Sequence, residues 1–286
     1  MPRLAYVNGR YLPHTEACVH VEDRGFQFAD GVYEVVAILD GRFADLDGHL
    51  VRLARSLREV SIDQPISRAA LKLVMRELVR RNAVRNGLIY LQITRGVAPR
   101  DFKFPCPKVT PSLVMTTRKA TRFASPEQLE RGVAIITIPD IRWLRRDIKT
   151  VGLLPQVLGK QRAAEAGCFE AWMIDAEGFI TEGCASNAWI VTADGVLVTR
   201  QPDHMILNGV TRLTLLGLAQ ALDIPFEVRP FSLAEAMTAR EALVSSATTF
   251  ALPITRIDGQ AVGDGVPGPV ARRLRAAYFK AMEGSA

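Results

Sequence analysis

The chain is poor in the residues that build metal and disulfide frameworks. It has four cysteines and four histidines in 286 residues. Cys18, Cys106, Cys168 and Cys184 are widely spaced and form no CxxC pair. His14, His20, His49 and His204 form neither HExxH nor HxH. Structural zinc wants ligands in close pairs, and a disulfide scaffold wants more cysteines in a shorter chain. We therefore expect no metal and reduced thiols in a cytoplasmic protein. Long apolar runs are missing too. The stretch from Val133 to Ile138 is strand-sized, far short of the ~20 residues that cross a bilayer, and the first residues lack the apolar core of a secretory signal. Basic residues cluster only briefly, at Arg80-Arg81 and Arg145-Arg146, so nucleic acid is not an expected partner. GxSxG, GxxxxGK[ST] and a strand-turn GxGxxG are all absent, which removes the familiar nucleophile-elbow, P-loop and dinucleotide readings.

What is present is an ordinary globular composition, 48% apolar and 23% charged. At about 150 residues per domain the length suggests two domains. The net charge of +6 and sequence pI of about 9.3 fit either a solvated basic surface or attraction of anions.

The patterning mixes strands and helices without strict alternation. Asn8-Gly9 between apolar residues predicts a tight hairpin over 4–12. Val32 to Ile38 reads as a strand that turns at Asp40-Gly41. Leu50, Leu53, Leu57 and Val60 fall at helical spacing, with Asp47 as the expected cap, and Ser67 is expected to cap a second helix. Strands follow at 88–94 and 111–117. Residues 117–128 are polar and aperiodic, so we expect a linker over 120–128 between domains at 1–119 and 129–286. Beyond it we expect a strand at 133–138, a helix at 154–167, several hairpin strands, a helix at 210–222 and a closing helix at 269–282. The fold class is α+β (mixed α/β) in two domains.

Four polar features stand in apolar or small-residue settings. Lys149 lies in Asp147-Ile-Lys-Thr-Val-Gly-Leu-Leu-Pro155. Desolvation lowers a lysine's proton affinity, and a neutral amine is what a carbonyl requires; read alone, an ordinary loop lysine fits as well or better. Glu182 sits in Ile180-Thr-Glu-Gly-Cys-Ala-Ser-Asn187, where a carboxylate could keep a ring nitrogen protonated or simply occupy a surface turn. Leu207-Asn-Gly-Val-Thr-Arg212 opens a helix whose free N–H groups suit an anion, with the Thr211 hydroxyl beside them; a plain helix cap fits equally. Ser245-Ser-Ala-Thr-Thr249 is a phosphate cradle or a polar loop. An amine, a carboxylate and anion-binding turns together are what pyridoxal 5′-phosphate needs.

A resemblance adds to this. The segment Glu22-Asp-Arg-Gly-Phe-Gln-Phe-Ala-Asp-Gly-Val-Tyr-Glu34 resembles the N-terminal motif of fold-type IV pyridoxal-phosphate enzymes, and within them that of the D-amino acid aminotransferases. The stretch from Asp147 to Gln161 is similar to the family's lysine segment. Thr181–Asn187, Ile206–Arg212 and Arg256-Ile-Asp-Gly259 follow in the family's order, so the likeness covers essentially the whole chain. It implies a Schiff-base lysine at Lys149, in the C-terminal domain, and a ring-nitrogen carboxylate at Glu182. It implies phosphate contacts from Arg52, Val210, Thr211 and the Ser246-Ala247-Thr248 loop, and ring support from Leu207. On the substrate side it implies Tyr33 and Arg100, the latter binding a carboxylate through its planar fork. Phe102 stands where these enzymes commonly have a histidine, and Ala247 where they usually have a threonine. The implied activity is transfer of an amino group between D-amino acids, such as D-alanine or D-glutamate, and 2-oxo acids, by a homodimer. The same fold also hosts (R)-amine and branched-chain L-amino acid aminotransferases and aminodeoxychorismate lyases, and a non-enzymatic cofactor-binding protein is a further alternative.

Overall fold

A computed structural model describes residues 3–120 and 123–284. The chain divides into two compact units, one of residues 1–122 with 148–152, the other of residues 123–147 with 153–286.

The first unit is a six-stranded antiparallel sheet with two long helices and one short one. Its elements are β1 (Leu4–Val7), β2 (Arg10–Pro13), α1 (Arg24–Phe28), β3 (Gly31–Leu39), β4 (Arg42–Phe43), α2 (Leu46–Glu59), α3 (Arg68–Arg81), β5 (Gly87–Thr94) and β6 (Ser112–Lys119). The sheet order is β2-β1-β6-β5-β3-β4. The Asn8-Gly9 turn has positive φ at both residues, 45° and 91°, as the predicted two-residue hairpin requires. Leu50, Leu53 and Leu57 of α2 and Leu71, Met75 and Leu78 of α3 are buried with Val32, Val36, Ile89, Leu91 and Met115 of the sheet. Ser67 caps α3 as expected, accepting from the Ala70 amide. Asp47 does not cap α2. The chain turns at Asp45, φ 51°, so the helix starts at Leu46 and Asp47 lies in its first turn. Its exposed carboxylate instead takes Arg68 and Lys72 of α3.

β3 pairs with β5 from Gly31↔Thr94 to Ile38↔Gly87, but with β4 only at Ile38 and Leu39. Half of its outer edge is thus open to another strand, and residues 148–152 take it. The Tyr33 amide donates to the Lys149 carbonyl (3.0 Å) and the Val151 amide to the Gly31 carbonyl (3.1 Å). This corrects the expectation that the lysine segment belongs with the C-terminal domain. Backbone pairing to an unfilled edge outweighs its position in sequence, and Ile148 joins the first unit's core.

The second unit is built on a nine-stranded mixed sheet. Its elements are α4 (Pro126–Arg131), β7 (Val133–Pro139), α5 (Leu154–Glu165), β8 (Glu170–Ile174), β9 (Ile180–Gly183), β10 (Asn187–Val191), β11 (Leu197–Thr199), α6 (Val210–Ala221), β12 (Phe226–Val228), α7 (Leu233–Met237), β13 (Glu241–Ser246), β14 (Phe250–Ile257), β15 (Gln260–Ala261) and α8 (Pro269–Gly284). The strand path is β12-β11-β10-β13-β14-β7-β8-β9, with β15 on β14. Trp172 and Phe231 meet edge to face in its core, ring centres 5.9 Å apart. A Cβ at Gly159 of α5 would fall on the Cys184 sulfur, so glycine lets that helix approach the sheet. The stretch expected as a linker is partly ordered. β6 runs to Lys119, and α4 starts at Pro126 behind a Ser125/Gln128 capping box; positions 121 and 122 lie outside the described residues.

If residues 149–151 are a strand addition, the amides of Tyr33 and Val151 should be protected from hydrogen exchange like sheet amides. Val151→Pro removes one of those donors and should cost about 1 kcal/mol of stability, with faster exchange at Tyr33. Loop-like exchange at both amides in the wild type would contradict the pairing.

Candidate active site

Each unit gathers its own set of the expected site residues. In the first unit, strand alternation sends neighbours on β3 to opposite faces. Tyr33 meets Lys149, whose Nζ lies 4.3 Å from the centre of its ring. The Tyr33 ring stacks in turn on Tyr90, centres 5.6 Å apart, and burial pushes the Tyr90 hydroxyl up to about 12. Lys149 is half-buried, with its amide within reach of Ser56 Oγ. It is therefore not an ordinary exposed loop lysine.

The next residue, Glu34, faces α2 and is 2% exposed. Arg52 donates to both its oxygens, Nε to Oε1 and Nη2 to Oε2, each at 2.7 Å. His49 Nδ1 is 2.7 Å from Oε2. Burial alone would raise the carboxyl, but the Arg52 charge and the bonds from Arg52 and His49 outweigh it and hold it at about 2. Arg52, singled out as a phosphate ligand, thus carries its own buried counter-charge. Glu34 and His49 received no role from the sequence. The signal was there, because period-2 alternation places Glu34 on the face opposite Tyr33.

Arg100 and Phe102 lie on the exposed 99–104 stretch of the loop after β5. The Arg100 guanidinium sits 5.0 Å from the Phe28 ring centre and 5.7 Å from that of Phe102. Among the described residues no carboxylate pairs with it. Beneath the loop, Asp30 takes Arg95 through both oxygens (2.7 and 2.9 Å) and Arg24 through Oδ2 (2.9 Å).

In the second unit the centre is Glu182, on β9 and 5% exposed. It is not a surface-turn residue. Arg142 Nη1 donates to its Oε1 (2.5 Å), Asn187 Nδ2 to Oε2 (3.0 Å), and the Leu207 amide lies 3.2 Å from both oxygens. Burial pushes the Glu182 carboxyl above its ordinary range, and Arg142 and the Leu207 amide pull it only part of the way back. With these donors on its oxygens, the ionised form is the one this shell accommodates. Arg142 is shared with Asp140, at 3.0 Å from Nε to Oδ1 and 2.7 Å from Nη2 to Oδ2. Thr181 Oγ1 donates to the same Asp140 Oδ2 (2.7 Å).

Asn187 ties this carboxylate to the start of α6. Its amide nitrogen also donates to the Leu207 carbonyl (2.9 Å), and a Cβ at Gly209 would overlap its Oδ1, so that position admits glycine alone. Gly209 caps α6 without any side-chain bond, and the first turn, with Val210 and Thr211, holds no acid. That leaves an anion-competent helix start. Across the sheet Asn187 pairs with Ser245. In the loop that follows, Ser246 Oγ accepts from the Thr248 and Thr249 amides (both 3.2 Å) and meets their hydroxyls at 3.0 and 2.9 Å. Ala247 lies inside this turn and adds no hydroxyl. Arg142 and Asn187 were missed as hubs. Asn187 lay inside a quoted motif, but Arg142 sits forty residues from its partner with nothing local to mark it.

Comparison with known proteins gives this geometry a family. Residues 31–257 match the family described as amino-transferase class IV. The chain is 41% identical to the D-alanine aminotransferase of Bacillus licheniformis over 94% of both chains. It is 38% identical to that of Staphylococcus haemolyticus over 97% of both. The fold is similar to that of the branched-chain amino acid aminotransferase of Escherichia coli, at a TM-score of 0.90 and 24% identity, covering 98% of this chain and 94% of that one. A half-buried lysine over a tyrosine ring, a buried carboxylate ringed by donors and a helix start without a side-chain cap bond accord with that match, and the chain belongs to the class IV aminotransferases.

Proposed function

We propose that the chain is a pyridoxal 5′-phosphate-dependent transaminase that moves an amino group between D-amino acids and 2-oxo acids. The observation that carries this reading is the near-full-length likeness to enzymes named D-alanine aminotransferases, together with the donor-ringed Glu182.

The residues present fit the cofactor's chemistry. Lys149 offers an amine for the aldehyde. Glu182 suits the ring nitrogen, Leu207 the ring face, and the α6 start and the Ser246–Thr248 turn the phosphate. When bound, the cofactor supplies an electron sink for charge developing at the substrate carbon, a role that needs its ring nitrogen protonated. Glu182 favours that proton in its carboxylate form, the form its donors Arg142, Asn187 and the Leu207 amide stabilise. Lys149 serves as the positioned base that takes and returns the α-proton. Tyr33 lines the substrate side. Glu34 fixes Arg52 in one orientation, so that an anion meets a guanidinium already in place. Arg100 takes the substrate carboxylate. Phe102 makes that side more apolar than a histidine would, which favours amines as secondary substrates.

A half-reaction screen tests the reading. The cofactor-loaded protein is mixed with D-amino acids, L-amino acids and (R)-amines, and loss of its visible absorbance is followed. D-alanine is expected to convert the cofactor, with pyruvate formed when 2-oxoglutarate is the acceptor. Conversion by L-substrates alone would sink the D-specific assignment. Lys149→Ala should abolish turnover and the lysine-bound absorbance while leaving the fold intact by circular dichroism.

The Glu34 pair makes a separate prediction. A carboxyl held near 2 rather than at its ordinary 4.5 stabilises the folded state above pH 4.5. That contribution fades as pH falls from 4.5 to 2. Glu34→Gln should therefore cost about 3 kcal/mol at pH 7, read from urea midpoints. The gap to wild type should close as pH falls below 4.5. A gap independent of pH would contradict the assignment.

A further inference from the structure

We propose that Phe28 and Phe102 are positioning residues for Arg100, forming an aromatic cradle that pre-orders its guanidinium for the substrate carboxylate. The proposal rests on the reading of Arg100 given above and adds what holds that arginine in place.

An exposed loop arginine carries about 2 kcal/mol of rotamer freedom, which carboxylate binding must overcome. Proteins commonly restrain such a side chain with an acid, but an acid occupies its donors and neutralises its charge. Here the restraint is of another kind. The Arg100 carbon lies 5.0 Å from the Phe28 ring centre and 5.7 Å from that of Phe102, within the range of cation–π attraction. Ring contacts use no N–H group, so the fork keeps its donors for a bidentate partner. The two rings also touch each other, centres 5.5 Å apart at 53°.

The cradle is itself fixed from beneath. Phe28 closes the short helix α1, and Arg24 of that helix is buried with its guanidinium 4.7 Å from the Phe28 ring centre. Arg24 Nε bonds Asp30 Oδ2 (2.9 Å), and its Nη1 bonds the carbonyl of Asp101 (2.6 Å), the residue before Phe102. One buried arginine thus ties the element carrying the first ring to the loop carrying the second. This explains why a phenylalanine that is 80% exposed stands at position 102. A ring left in water does little for the core, but beside Arg100 it has a partner.

The test uses the cofactor-loaded enzyme with an amino acid donor that the wild type turns over. Phe102→Leu keeps the apolar bulk and removes the ring, while Phe102→Tyr and Phe102→Trp keep a ring. Cation–π attraction at an exposed site corresponds to roughly two- to fivefold in affinity. Phe102→Leu should therefore raise KM by about that factor, with kcat within twofold and an unchanged melting temperature, and should weaken binding of propanoate in parallel. The Tyr and Trp variants should restore the wild-type KM. Unchanged KM in Phe102→Leu, or equal loss in all three variants, overturns the cradle. Arg100→Gln separates the two layers. If it leaves KM and propanoate binding unchanged, the reading of Arg100 fails, and the cradle with it. If it raises KM tenfold or more while Phe102→Leu leaves KM unchanged, the cradle alone fails.

Discussion

The carboxylate of Glu182 sets the terms for the second unit. A charge taken out of water has to be compensated by donors at short range, or it takes up a proton. Here the compensation comes from three different parts of the chain: Arg142 after β7, Asn187 at the start of β10, and the amide of Leu207 just before α6. Each donor also fixes its own segment. Arg142 brings Asp140 with it, Asn187 leaves room only for glycine at position 209, and the Leu207 amide aims the loop that becomes the open helix start. A single buried carboxylate thereby fixes the backbone that leads into α6.

The first unit solves the same problem with Glu34. Its neighbours in space, His49 and Arg52, lie one turn apart on α2, so one helical face supplies both donors. The strand that bears Glu34 also bears Tyr33 on its other face, and its unfilled edge draws in residues 148–152. The lysine segment is therefore held by backbone bonds, with the Lys149 amine over the Tyr33 ring.

Most of the architecture was legible because it rests on local signals. The Asn8-Gly9 hairpin, the Ser67 cap, the 3.6-residue spacing of Leu50, Leu53 and Leu57, and the β-branched strands all carry their instructions within a few residues. Lys149, Glu182 and Thr211 stand out in the sequence through their settings and through family resemblance, and the structure leaves none of the three exposed. The failures share a cause. Asp47 was misread as a cap because nothing in sequence shows that Asp45 turns left-handed. The lysine segment was assigned to the wrong unit because an open strand edge is a property of the sheet, not of the segment that fills it. Arg142 was missed because its partners are fixed only when β7 and β9 come together.

The charge of +6 can now be apportioned. The buried arginines meet acids of their own: Arg24 and Arg95 at Asp30, Arg142 and Arg146 at Asp140, and Arg200 at Asp175. Arg52 is matched by Glu34. Arg212 is the exception in the core, held by neutral oxygens of Thr199, Arg200 and Asn208, and burial draws it down to about 10. Each of these cations already has partners within the chain, so the basic balance says little about the substrate. Arg100 differs in kind. It is exposed and stands among rings rather than carboxylates, which leaves its charge and its fork uncommitted. Specificity for a carboxylate needs one such cation held in place, not an excess of them.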